Sequence, residues 1–253
     1  MIIPGNQTRG AKMSSERRNK RISKEEPESR TVKEKFKEAK REWNLKPRNE
    51  MQSHYLNALK TNSVVVCLGP AGTGKTFMAA VHAANEFLME RIEKIVLTRP
   101  NVGVGRSNGF FPGTIEEKMS PWLVPLTSII KMVIGPGAFE CAVKKGNIEM
   151  VPLEVIRGRS FDNTIILVDE SQNLTLEEIK AISTRIGQKS LMVFMGDASQ
   201  SDLETRGKAL KTFCDILEKY DIADTYIIEF GVEDIVRSDI CAKLVSAFYQ
   251  EGI

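Results

Sequence analysis

Two adjacent acids, Asp169 and Glu170, close the apolar run TIILV (164–168). Carboxylates are seldom buried without a partner. A strand that ends in two of them calls for a cation or a reacting water. Upstream, residues 69–76 read GPAGTGKT, a full match to GxxxxGK[ST], the pattern of a loop that wraps phosphate. Gly69, Gly72 and Gly74 let the backbone approach phosphate closely. Pro70, Ala71 and Thr73 complete the loop, and its N–H groups turn inward. Lys75 would reach the β- and γ-phosphates. The Thr76 hydroxyl would bind Mg²⁺, with Asp169 as the acid from a neighbouring strand. Glu170 is then placed to orient or deprotonate an attacking water. These roles suit phosphoanhydride hydrolysis. A kinase would need room for a second substrate, and no compact arginine-bearing lid is visible. The base-reading motif NKxD of switch GTPases is missing, which favours ATP over GTP.

Such groups need a rigid frame. Apolar runs at 63–68, 94–98, 148–152, 164–168, 190–195 and 225–229 predict strands. Helical patterns cover 49–60, 75–90, 175–186, 205–219 and 239–250. Their alternation predicts an α/β fold, a mainly parallel sheet flanked by helices. The run EKIVLT (93–98) lies between the phosphate-loop strand and the acid strand in sequence, which is compatible with a RecA-like order. The strand LMVFMGD leads into GDASQSD (196–202). Gln200 there can donate and accept, and so could report on a γ-phosphate. Its alternative is an ordinary surface turn. Residues 99–147 are dense in Gly and Pro and read as a long excursion holding one or two helices. Insertions at strand ends often bind substrate.

The 253-residue chain is ordinary in composition for a globular protein, with 42% hydrophobic and 27% charged residues. No apolar run approaches the roughly 20 residues of a membrane span, and the N-terminus does not read as a signal peptide. The expected setting is cytoplasmic, without a membrane partner. Cys67, Cys141, Cys214 and Cys241 show no CxxC spacing, which argues against zinc and against a disulfide framework. All four read as small buried hydrophobes. The net charge of +3 hides an asymmetry. Residues 1–48 carry 15 Lys/Arg against 7 Asp/Glu, and the remainder is net acidic. Residues 1–30 are expected to be disordered. Val32, Phe36, Ala39 and Trp43 then form one helical stripe that would dock on the body. The expected division is a basic N-terminal extension, 1–48, and a body, 49–253. A basic tail is a common footprint for a polyanion partner, or simply a solubilising segment.

Taken together, GPAGTGKT, VLTRP, GFFPG, RGRSF, IILVDESQN, TRIGQKS, GDASQSDL and EDIVR occur in the order seen in PhoH-family ATPases of phage or bacterial type. The chain resembles that family over 49–250, and through it the first motor lobe of superfamily 1 helicases. The resemblance implies a RecA-like P-loop ATPase using ATP and Mg²⁺, linked with RNA binding or unwinding. It implies that Gln52 reads adenine. It maps DExQ onto Asp169, Glu170 and Gln172, with Gln172 at the γ-phosphate, and GDxxQ onto Gly196, Asp197 and Gln200. Departures are Ser171 for the usual Ala, Ser238-Asp239 where His-Pro is usual, and ETRG where Pro-Arg-Gly is usual.

An arginine finger supplies about 10³–10⁵ in rate for such reactions. Two-lobe helicases take it from the second lobe, and residues 49–253 provide one lobe. The finger would come from elsewhere in the chain or from another subunit, predicting a homo-oligomer such as a hexameric ring. Arg237 is the first candidate and Arg185 the second; either could instead pair with a helix end or an acid. Arg99, Arg106, Arg157 and Arg159 are candidates for nucleic-acid phosphates. Phe110, Phe111 and Trp122 would stack bases or pack in the core. His54 and His82 read as structural. The expected partner is RNA or other single-stranded nucleic acid. The alternative function is an ATP-gated assembly or switch without helicase activity.

Overall fold

The computed structural model describes residues 42–100, 120–197 and 207–250. Six runs rich in Val, Ile and Leu form one sheet. They are β1 (Val64–Leu68), β2 (Lys94–Thr98), β3 (Ile148–Met150), β4 (Thr164–Val168), β5 (Leu191–Gly196) and β6 (Thr225–Glu229). The order is β3-β2-β4-β5-β1-β6, and every neighbouring pair is parallel. This is the expected doubly covered α/β sheet. The strand between the phosphate-loop strand and the acid strand is β5, which follows both in sequence; β2 lies on the outer side of β4. A RecA-like order thus arises from a strand later in the chain than EKIVLT.

Eight helices flank the sheet among the described residues: α1 (Glu50–Thr61), α2 (Lys75–Leu88), α3 (Val124–Ile134), α4 (Pro136–Lys144), α5 (Leu153–Ile156), α6 (Leu176–Ser183), α7 (Gly207–Lys219) and α8 (Asp239–Gln250). Side chains alternate across each strand, so the core has two halves. Val65, Cys67, Ile95, Leu97, Ile165, Leu167, Val193 and Met195 face α1–α4. Val66, Val96, Ile166, Val168, Met192 and Phe194 face α6 and α7. β4 and β5 are buried at every position, which is why both read as unbroken apolar runs. Rings lock helices to the sheet in edge-on contacts: Tyr55 on Phe230 at 5.8 Å and Phe194 on Phe213 at 5.3 Å.

Helix starts are set by side chains. Asn49 caps α1 by accepting the Gln52 N–H at 2.8 Å. Thr175 and Glu178 close a capping box on α6. Among its described residues the excursion after β2 holds two helices, α3 and α4, after a short 3-10 turn over Ser120–Leu123.

Residues 42–48 pack with the body and are not helical, although the expected helix ran to Trp43. The Trp43 backbone exchanges two hydrogen bonds with the Asn85 side chain, at 2.8 and 2.9 Å. Leu45 packs on the core. The body therefore begins at Glu42, not at 49. Residues 1–41, with the rest of the expected stripe, lie outside the described residues. Two cysteines depart from expectation: Cys67 and Cys214 are buried, but Cys141 is exposed and Cys241 partly so. No single helix among the described residues is long and apolar enough to cross a membrane.

Candidate active site

In a parallel sheet every strand delivers its C-terminal end to the same edge, and ligands collect there. A cleft of about 590 Å³ opens at that edge, lined by Gln52, Gly72, Gly74, Lys75, Thr76, Arg99, Asp169, Glu170, Asp197 and Arg237, with Leu45, Lys46, Arg48 and Phe77 among the others.

The phosphate loop joins β1 to α2. Gly69 takes φ +134°, and a Cβ there would stand 2.5 Å from the Phe230 carbonyl oxygen. Gly72 takes φ +92°, and a Cβ there would meet Arg237 Cγ at 2.8 Å. Both positions therefore require glycine for conformation and for space. The backbone is pinned further by Val236 N–H donating to the Gly72 carbonyl at 3.0 Å. The segment carrying Arg237 thus lies against the loop of its own chain. Asn49 holds that segment through Asp234, donating to its carbonyl and carboxylate at 3.3 and 3.1 Å.

Lys75 opens α2 and donates to the Gly69 and Pro70 carbonyls at 2.6 and 2.8 Å. Burial pushes its ammonium below the usual lysine range, opposed by Cys67, Asp197, Glu170 and Asp169. The Thr76 hydroxyl donates to Asp169 Oδ1 at 3.3 Å. Asp169 is buried, and its backbone N–H is fixed to the Thr98 carbonyl at 3.0 Å. Burial, then the neighbouring Glu170 charge, raises its carboxyl above the usual range, while Arg99 and Thr76 oppose this.

Glu170 sits in the left-handed region, φ 51° and ψ 40°. That conformation costs a non-glycine residue about 1 kcal/mol or more and marks functional sites. Here it turns the chain off β4 so that Asp169 and Glu170 both line the cleft. Glu170 Oε2 accepts from Gln172 Nε2 at 2.7 Å, and Oε1 lies 3.6 Å from the Arg99 guanidinium.

Gln172 does not line the cleft, unlike the expectation of a γ-phosphate contact. It is buried, and its Oε1 accepts the Asp197 N–H at 3.2 Å. Its carboxamide thus ties Glu170 to the end of β5. Gln52 does line the cleft. Its Nε2 donates to the Thr73 carbonyl at 2.8 Å and its Oε1 accepts from Arg48 N–H at 2.9 Å. One amide hydrogen and one lone pair remain for a ligand.

The arginines separate. Arg99 stands in the cleft beside the two acids rather than on a remote surface. Arg159 is engaged by Glu149 at 2.7 Å and stacks over Phe161 at 4.9 Å, which gives it a structural role. Arg157 is exposed. Arg185 caps the last turn of α6, donating to the Ala181 carbonyl at 3.2 Å. Its own carbonyl accepts from Phe161, just before β4, so it lies at the opposite end of the sheet from the cleft. Gln200, Arg106, Phe110 and Phe111 lie outside the described residues. Trp122 is 39% exposed and packs beside Arg99, not in the core. His54 lies 3.7 Å from Glu50, one turn away on α1, and His82 is buried in α2.

The residues missed in the sequence were Arg99 as a neighbour of the acids, and Asn49, Asp234 and residues 45–48 as walls and braces. Arg99 directly follows a strand, and strand ends point to the ligand edge; that position was the available hint.

A phosphate loop at the end of a central parallel strand, with an acid on the next strand but one, defines a P-loop nucleoside-triphosphatase domain. The large terminase of a thermophilic bacteriophage shares this fold, with a TM-score of 0.51 over 81% of this chain and 50% of that chain, at 10% identity. Residues 44–249 match the family described as PhoH-like protein, and the chain belongs to that family. A PhoH-like protein of Bacillus subtilis is 39% identical over 202 residues, 79% of this chain and 63% of its own length. One from Mycobacterium bovis is 37% identical over 210 residues, 82% and 59%. Protein PhoH of Escherichia coli is 33% identical over 204 residues, 79% and 57%. The chain thus spans about three-fifths of the length of these relatives.

Proposed function

We propose that this chain hydrolyses ATP in a Mg²⁺-dependent reaction coupled to RNA or other single-stranded nucleic acid, working as a homo-oligomer. The observation that carries the reading is the pair of acids at the end of β4, set opposite Lys75 and Thr76 across one cleft. Asp169 and Thr76 offer hard oxygen donors at one point. That suits Mg²⁺, which takes one or two protein ligands and fills its shell with phosphate and water. No all-protein cage of three or more His, Cys, Asp or Glu occurs among the described residues. The ion, when bound, neutralises charge developing on the phosphates.

The chain's own groups do the rest. The loop N–H groups and the N-terminus of α2 hold phosphate. Lys75 exchanges its carbonyl partners for phosphate oxygens. Glu170, oriented by Gln172, accepts a proton from the attacking water. Gln52 offers its free amide positions to the adenine edge. Arg237 lies beside Gly72 in the same chain and can meet phosphate there. Arg185, at the far end of the sheet, can serve as a finger only for another copy.

Steady-state ATP turnover of wild type and Glu170→Gln, with and without RNA, single-stranded DNA and duplex, tests the reading. Turnover lost in Glu170→Gln and stimulated by a single strand is expected. Unimpaired hydrolysis by that variant would sink the assignment.

A second reading, ATP-gated assembly, draws on α8. Ile240, Leu244 and Phe248 form one stripe on it, 65%, 52% and 55% exposed. The helix begins two residues after Arg237, so a second copy docked there would sense the cleft. Assembly that depends on ATP, with no polymer stimulating hydrolysis, would favour it.

A further inference from the structure

We propose that Arg99 is a latch on Glu170 and that a phosphate of a bound single strand opens it. The inference rests on the polymer-coupled ATPase reading above and names the residue that does the coupling.

Arg99 leaves β2 beside the point where Asp169 and Glu170 leave β4, because Thr98 is in register with Val168. Its guanidinium Nη2 lies 3.6 Å from Glu170 Oε1, while Gln172 Nε2 holds Oε2 at 2.7 Å. Both oxygens of the proposed base are thus engaged by protein groups, and the left-handed backbone of Glu170 holds it in that grip. An attacking water then meets no open oxygen on that carboxylate.

The two restraints differ in kind. Gln172 is buried, closely bonded and braced by Asp197. Arg99 is loose: the pair is long, its side chains are 25% and 38% exposed, and it sits at the cleft wall. Its other contacts point outward. Nη1 donates to the Trp122 carbonyl at 3.4 Å, and the guanidinium stands 5.9 Å over the half-exposed indole. A guanidinium beside an exposed aromatic face can take one nucleotide of a single strand, phosphate on the fork and base on the ring.

The magnitudes allow switching. A partly exposed ion pair at this distance restrains its partner by a factor on the order of fivefold. A phosphate accepting two hydrogen bonds from the fork competes with that easily. A ligand shifts an equilibrium only through contacts that differ between the states. Arg99 supplies that difference: it pairs with Glu170 in one state and with phosphate in the other.

The test is steady-state ATP turnover of wild type, Arg99→Ala and Arg99→Lys, with and without an oligouridylate. A fluorescent ATP analogue measures nucleotide affinity alongside. The expected result is a basal rate in Arg99→Ala raised on the order of fivefold, little further stimulation by the oligonucleotide, and unchanged nucleotide affinity. Arg99→Lys keeps the charge without the fork and should show a smaller rise and a reduced stimulation. If Arg99→Ala fails to bind nucleotide, Arg99→Lys decides alone by the same criteria. A basal rate that is unchanged or lowered overturns the latch. So does an oligonucleotide that stimulates the variant by the wild-type factor; the polymer-coupled reading then survives without it. A wild type that hydrolyses ATP through Glu170 but responds to no polymer overturns the latch and the coupling together, leaving the ATPase.

Discussion

The Gln172 carboxamide donates to Glu170 Oε2 at 2.7 Å and accepts the Asp197 backbone N–H at 3.2 Å, so one buried side chain joins the two strand ends that face the phosphate loop. The relationship makes Gln172 a positioning residue. Gln172→Ala should lower kcat on the order of tenfold, through misplacement of Glu170, with KM for ATP little changed. A KM for ATP that rises as kcat falls would instead point to direct contact with nucleotide. Rescue by Gln172→Asn is not expected, because the shorter amide cannot span both partners.

Glu170→Gln keeps the size of the side chain and removes the base. Turnover should fall about 10²–10⁴-fold, while ATP affinity measured by fluorescence or calorimetry stays within a few-fold of wild type.

Gly69→Ala adds a methyl where the Phe230 carbonyl stands 2.5 Å away, at a φ of +134°. The loop must shift or the link between β6 and α8 must give. Nucleotide binding should be lost, and thermal unfolding should come several degrees earlier, consistent with strain of about 1–3 kcal/mol.

Gln52 keeps one amide hydrogen and one lone pair for a ligand after meeting Thr73 and Arg48. Gln52→Ala should therefore narrow the preference for ATP over GTP by about 10-fold or more. The ratio of kcat/KM for the two nucleotides is the measurement. An unchanged ratio would confine Gln52 to bracing the loop.

Glu149 joins Lys94 and Arg159 at the outer edge of the sheet. Burial alone would raise its carboxyl, but the hydrogen bonds from those two cations outweigh it and hold the group below the usual 4.5. A depressed carboxyl means that the unfolded chain binds more protons, so this contribution is present above the unfolded value and is lost as pH falls through the folded one. Glu149→Gln should lower stability at neutral pH by about 1 kcal/mol, discounted for partial exposure. The difference from wild type should shrink on acidification below about pH 4, as followed by thermal melts across pH.

Much of this protein could be read along the chain. All six strands and the five helices expected at 49–60, 75–90, 175–186, 205–219 and 239–250 lie within a few residues of expectation, because each buries a face whose period is local. β3 is the shortest, ending at Met150 at one edge of the sheet. The phosphate loop and the two acids were legible for a similar reason: their chemistry is written in contiguous motifs.

What the chain order concealed were relations across strands. That β5 lies between β1 and β4 follows from how the crossovers pack, and it is what brings Gln172 to Asp197. Arg99 looked like one of several surface cations until the pairing of β2 with β4 set it against Glu170. Arg159 looked the same until β3 brought Glu149 to it, and Arg185 proved to belong to the wrong end of the sheet for its own cleft. A motif carries the identity of a reacting group because neighbours in sequence share a backbone. The partner of that group comes from another strand, and only the packed sheet, whose parallel strands all deliver their ends to one edge, specifies which partner it is.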